Sequence, residues 1–171
     1  MINSIFKNII LLFILLFIQI IILNRIEFST YINPYIYILF IFILPFETPR
    51  WVLLFVGFFM GLFVDVFSNT AGIHAATCTF IAYIRPTVLG YISKKENYDN
   101  IKYPSILKNG IYWYLSYISI LVFIHHFILF YLEYFRFDSF FSVLFKTILS
   151  GFFSVIIIYI TQYLFVESKK K

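Results

Sequence analysis

Residues 51–67 read WVLLFVGFFMGLFVDVF, residues 68–70 are the turn Ser68-Asn69-Thr70, and residues 71–92 read AGIHAATCTFIAYIRPTVLGYI. Each apolar run is close to the roughly 20 residues that an α-helix needs to cross a bilayer core. Neither alternates apolar with polar residues, as a membrane strand of about ten residues must. Two such runs joined by a polar turn read as an antiparallel pair of membrane helices. Gly57 and Gly61 form a GxxxG on the first run, where small residues four apart let two backbones approach closely. Ala71, Ala75, Cys78, Ala82 and Arg85 recur on the second at spacings of four and three, a small-residue seam ending in a cation. The glycines serve packing within this chain or against another.

The rest of the chain reads the same way. Hydrophobic residues make up 62% of the 171 and charged residues 12%, about half the roughly 25% typical of a soluble domain. Further apolar segments run over 5–23, 31–46, 111–132 and 140–166, so the expected fold is an all-α membrane bundle of about six spans at 5–23, 31–46, 51–67, 71–92, 111–132 and 140–166. The first segment is too long for a signal peptide, and no small-residue cleavage site follows it. Segment 31–46 ends at Leu44-Pro45-Phe46, and Glu47-Thr48-Pro49-Arg50 connects it to the next. There Thr48 is expected to cap the third helix, with Pro49 at its first position. Residues 93–110 form the one substantial polar loop.

The lysines and arginines give an orientation. With six spans and the N-terminus inside, Lys7, Arg50, Lys94, Lys95, Lys102, Lys108 and Lys169, Lys170 and Lys171 are cytoplasmic, while Arg25, Arg136 and Lys146 fall outside. The positive-inside rule selects this arrangement, with both termini cytoplasmic. Merging 31–67 into one re-entrant unit gives five spans and separates Lys7 from the terminal lysines. The formal net charge of +5 is read as membrane topology and not as a nucleic-acid surface, because no basic polar face exists. The loop lysines suit an anionic inner leaflet; a cytoskeletal contact is the other reading.

A few polar residues lie inside the spans. Asp65 continues the face of Gly57 and Gly61, and His74 opens the next helix just past the turn. The two are expected to hydrogen-bond as a latch. Asp65 reads either as a structural carboxylate that bonds the next turn and its amides or as a contact for a partner or ligand. Arg85 lies about 20 Å along its helix from Ala71, too far to pair with Asp65. It either snorkels to the inner headgroups or makes an ion pair or anion contact in the interior. His125 and His126 point about 100° apart on one helix, so a shared metal is not expected and at most one should join the outer polar cluster. Cys78 reads as a buried packing residue. No His-x-x-x-His, paired cysteine, GxSxG or P-loop pattern occurs, so neither an enzyme, a metal site nor a cofactor is expected.

The stretch from Asn33 to Gly90 resembles the MreD family of rod shape-determining proteins. The resemblance is carried by NPYIYILFIFILPFETPRW and GLFVDVFSNTAGIHAATCTFIAYIRP, and within them by Pro45, Gly61, Asp65, Gly72, His74 and Ala75. The LPFETPRW wording is similar to the Bacteroidetes branch. The resemblance implies a non-enzymatic inner-membrane scaffold that binds MreC and works with MreB, RodA and the elongation transpeptidase in peptidoglycan synthesis. It also implies a fold akin to the substrate-binding subunits of energy-coupling-factor vitamin transporters. That kinship leaves a second reading, a small-molecule-binding transporter subunit with its pocket around Asp65, His74 and one of His125 or His126. Membrane lipids are expected partners of either, and self-association is allowed.

Overall fold

The computed structural model describes residues 2–25, 32–92, 102–134 and 140–167. Expectations for Lys94, Lys95, Arg136, Lys169, Lys170, Lys171 and the side chain of Lys7 lie outside the described residues. Everything regular among those described is helical: α1 (Ile2–Phe17), running on into a π-helical turn (Ile18–Leu23), α2 (Leu39–Ile43), α3 (Arg50–Ser68), α4 (Ile73–Ile92), α5 (Ile106–Asn109), α6 (Ile111–Tyr134) and α7 (Phe140–Glu167). Three stretches are long and apolar enough to cross a membrane: Arg50–Ser68, Ile111–Tyr134 and Phe140–Tyr163. Asn8–Leu23 is apolar but shorter. Helix α4 has the length, at 20 residues, but is less apolar; its polar residues His74, Thr77 and Arg85 are buried, while Phe80 and Tyr83 are exposed on its other side.

The α3–α4 hairpin is built on its glycines. A Cβ on Gly61 would lie 2.6 Å from Ala75 Cα, and one on Gly57 would lie 2.7 Å from Cys78 O and 3.0 Å from Ala82 Cβ. The GxxxG and the small-residue seam therefore meet each other inside this chain. Leu53, Met60 and Val64 continue the inward face of α3, while Trp51, Phe55, Phe59, Phe63 and Phe67 are exposed on the other side. An outward face that is apolar along its length suits lipid.

Segment 31–46 departs from the single helix that its apolar run suggests. Residues 33–36 carry no regular structure, a turn follows at 37–38, and helix is confined to Leu39–Ile43. Pro34 supplies one reason: it has no N–H, and it biases Asn33 away from helical dihedrals. The backbone donors left over are taken by side chains of other elements. Asn33 N donates to Ser150 Oγ at 3.0 Å, Tyr35 N to Ser154 Oγ at 2.9 Å and Ile36 N to Gln19 Oε1 at 2.8 Å. Gln19 Nε2 in turn donates to Pro34 O at 3.3 Å. Non-helical backbone at membrane depth is tolerated only where the protein satisfies it in this way. The π-helical turn, closed by Asn24 N to Gln19 O at 2.8 Å, helps carry Gln19 into the interior.

The start of α3 also differs in detail. Its cap is Pro49, with no side-chain cap bond. Thr48 Oγ1 turns back and donates to Pro45 O at 2.7 Å instead. Thr48 therefore closes the 45–48 turn and does not cap the helix.

Candidate functional site

Polar side chains gather at two depths inside this apolar body. Toward the α3–α4 turn, Asp65 is buried and its carboxylate accepts from three donors. Thr70 Oγ1 and the His74 N–H (3.0 Å) reach Oδ1, and the Ala75 N–H (2.8 Å) reaches Oδ2. The sequence makes this possible through the turn. Asn69 takes the left-handed conformation at φ 53° and Gly72 lies at φ +83°, which a residue with a Cβ rarely adopts. The turn thereby aims the first amides of α4 at the last turn of α3, where a carboxylate is favoured by those free donors and by the helix dipole. Of the readings left open for Asp65, the geometry matches the structural carboxylate that bonds the next turn's amides.

Asp65 and His74 do hydrogen-bond, as expected, but through the His74 backbone N–H; the imidazole turns to another partner. His74 Nδ1 lies 2.8 Å from Tyr37 Oη, and His125 Nε2 lies 3.1 Å from the same oxygen. Cys78 Sγ donates to it at 3.6 Å. A tyrosine hydroxyl donates once and accepts twice, so these three neighbours saturate it when one imidazole accepts and the other donates. Cys78 thus does more than fill space.

His126 belongs to a second chain. Its Nδ1 faces Val122 O at 2.8 Å. A carbonyl only accepts, so the proton is on Nδ1 and Nε2 is the acceptor. Ser154 Oγ, 2.9 Å away, donates to that Nε2 and accepts from Tyr35 N. Both histidines therefore join the cluster, where at most one was expected; the 100° between them sends one to Tyr37 and the other to α7. The Tyr35 ring lies among His74, His125 and His126, with centroids 5.3–5.9 Å apart. Beyond it the buried Lys146 pairs with Glu133 at 3.4 Å. Its Nζ also sits 4.4 Å from the centre of the Phe130 ring. Among the described residues no group of three or more His, Cys, Asp or Glu side chains is arranged to hold a metal ion. His125 Nδ1 has no hydrogen-bond partner among them.

The second depth is that of Arg85, which is 0% exposed. It does not snorkel. Its Nε donates to Tyr117 Oη at 2.9 Å, and its Nη atoms donate to the carbonyls of Leu44, Phe42 (3.4 Å) and Pro45 (3.5 Å). Tyr117 Oη itself donates to Phe42 O at 3.1 Å. Arg85 thus takes up the orphan carbonyls at the C-terminal end of α2. These described contacts are neutral oxygens, and an ion pair is not among them.

The candidates read from the sequence thus fall into one connected unit. Gly57 and Gly61 seat α4 on α3, Gly72 shapes the turn, Asp65 and Ala75 close it, His74 ties it to Tyr37, and Arg85 ties the same helix to Pro45. Tyr35, Tyr37, Gln19, Tyr117, Ser150 and Ser154 are additional members. Ser150 and Ser154 did leave a signal, since with Lys146 they recur at intervals of four on one stripe of α7. Together the fold and site define, among the described residues, an all-helical protein with three helices long and apolar enough to cross a membrane and a hydrogen-bonded polar interior. No family model, curated protein or solved structure matches the chain.

Proposed function

We propose that this chain is an MreD-like scaffold of the rod-elongation machinery, with six spans in the inner membrane and both termini in the cytoplasm. In this reading it binds MreC and, through it, supports lateral peptidoglycan synthesis by MreB, RodA and the elongation transpeptidase. The observation that carries the reading is the unity of the motif. Pro45, Gly61, Asp65, Gly72, His74 and Ala75, which carry the resemblance, belong to one hydrogen-bonded and close-packed unit. Its polar groups engage other parts of the same chain, as suits a rigid body that presents a fixed surface to a partner.

The test is co-expression with MreC from the same organism and co-purification in detergent. The expected result is a stable complex with the wild type, and rounding of cells when the chain is depleted. An Asp65→Ala/His74→Ala variant that stays folded but no longer retains MreC would locate binding on the hairpin. Failure of the wild-type chain to retain MreC would sink the reading.

One observation favours a second reading, a small-molecule-binding transporter subunit. The non-helical stretch 33–36 lies beside three buried histidines, and discontinuous membrane segments often line the substrate sites of transporters. Here the place is filled by the chain's own Tyr35 and Tyr37. A thermal-shift screen of small ligands separates the readings, since only the transporter reading expects a saturable stabiliser.

A further inference from the structure

Phe46 marks one end of the bundle. Its N–H donates to Lys102 O at 3.1 Å, and its ring meets Trp113 edge-on with centroids 6.1 Å apart. Three stretches distant in sequence converge there: the start of α3, the return of the chain into α5, and the start of α6. Arg50, Lys102 and Lys108 all stand exposed at this end. Glu47 is the described carboxylate that faces the same way. Exposed aromatic rings surround the cations, with Trp51 at 65% and Tyr112 at 86%. Lys102 Nζ leans over the Tyr103 ring at 5.9 Å. The opposite end is different: Lys146 is buried against Glu133, and Arg25 is the exposed cation described there.

We infer that this end is an interaction surface for anionic phospholipid headgroups. The residues match that partner in two ways. Among the described side chains at this end, three cations against one carboxylate complement phosphodiester charge. Tryptophan and tyrosine settle at the headgroup level, where one edge of the ring is wet and the other apolar. Lipid is favoured over a soluble anion because exposed aromatic residues (Trp51, Tyr103, Tyr112) accompany the cations at the ends of long apolar helices, the position of headgroups. The inference rests on the chain lying in a membrane and is independent of the scaffold reading, so the two fail separately.

The experiment reconstitutes the full chain into nanodiscs of phosphatidylcholine with a minor share of phosphatidylglycerol. It measures how strongly phosphatidylglycerol is enriched in the lipid retained with the protein. Wild type should enrich it, and added salt should weaken the enrichment through screening. Each cation removed is expected to lower the preference by up to about fivefold. An Arg50→Gln/Lys102→Gln/Lys108→Gln variant should therefore lose most of it, while Arg25→Gln keeps it. Equal enrichment by wild type and the triple variant overturns the proposal, as does equal loss in Arg25→Gln. Displacement of the lipid by inorganic phosphate beyond that caused by sodium chloride of equal ionic strength overturns it too, since the site would then take a soluble anion. Should the triple variant not fold, wild-type enrichment that is indifferent to salt overturns it.

Discussion

Gly61 and Gly90 are both glycines inside helices, yet they answer to different constraints. At Gly61 the added methyl would meet the backbone of α4, which cannot give way without parting the hairpin. Gly61→Ala is expected to destabilise the fold by about 1–3 kcal/mol, the range for overpacking. At Gly90 nothing lies within 4 Å of the added Cβ. Gly90→Ala should be neutral or stabilising by up to about 1 kcal/mol through helix propensity. Thermal unfolding in detergent compares the two, and a Gly61→Ala protein as stable as wild type would contradict the packing described. Asp65→Ala leaves one hydroxyl and two amide donors short of their acceptor, at a cost of roughly 2 kcal/mol. Asp65→Asn should not restore it, because an amide NH2 would confront one of the backbone N–H donors. Much at this scale was legible: the spacing of Gly57, Gly61 and Asp65 shows in the sequence. The identity of Asp65's donors does not, because they are backbone atoms whose direction is set by the turn at Asn69 and Gly72.

At the scale of elements, the segment from Asn33 to Phe46 depends on help from outside itself. A helix supplies its own acceptors, but this segment is helical over only five residues. Several of its other backbone groups are bonded by the side chains of Gln19, Ser150, Ser154, Tyr117 and Arg85. Arg85→Met should leave the Leu44 carbonyl without its side-chain donor in an apolar interior and the Phe42 carbonyl with Tyr117 Oη alone, costing on the order of 1–3 kcal/mol. Local loosening is then expected at the connector 44–49, read as faster hydrogen exchange or proteolysis there than in α6. Arg85→Lys should recover only part of the loss, because an ammonium lacks the planar fork that reaches several carbonyls at once. Equal protection of the connector in all three proteins would refute this role. The apolar run 31–46 concealed the break because composition records hydrophobicity and not where hydrogen bonds go. Pro34 was the visible warning.

At the scale of the whole molecule, the six-span reading makes a prediction of sidedness. Cys78 is the chain's single cysteine and is fully buried. It should resist thiol reagents in the native protein and react on unfolding. In a Cys78→Ala background, cysteines added at the two termini should label from the same side of sealed vesicles. Labelling from opposite sides would favour five crossings and remove the orientation drawn from the lysines. The aromatic stripe of α3 recurs at intervals of four in the sequence, whereas the cationic end near Phe46 follows from how the helices assemble and is dispersed along the chain.

Helical class and suitability for an apolar surrounding are both written in the composition and the length of the apolar runs. Long continuous apolar runs with few charges leave a backbone no partner but itself, and only helices satisfy it locally. The sequence also offered a close helix approach at Gly57 and Gly61, because small residues at a spacing of four let a backbone come near; that α4 is the partner is seen in the fold. The partners of the buried polar groups emerge from packing alone. Tyr37 gathers two histidines and a thiol from α4 and α6, Arg85 reaches back to the end of α2, and His125 and His126 part company on one helix. Such pairings join residues tens of positions apart, and their geometry exists only once the helices have packed.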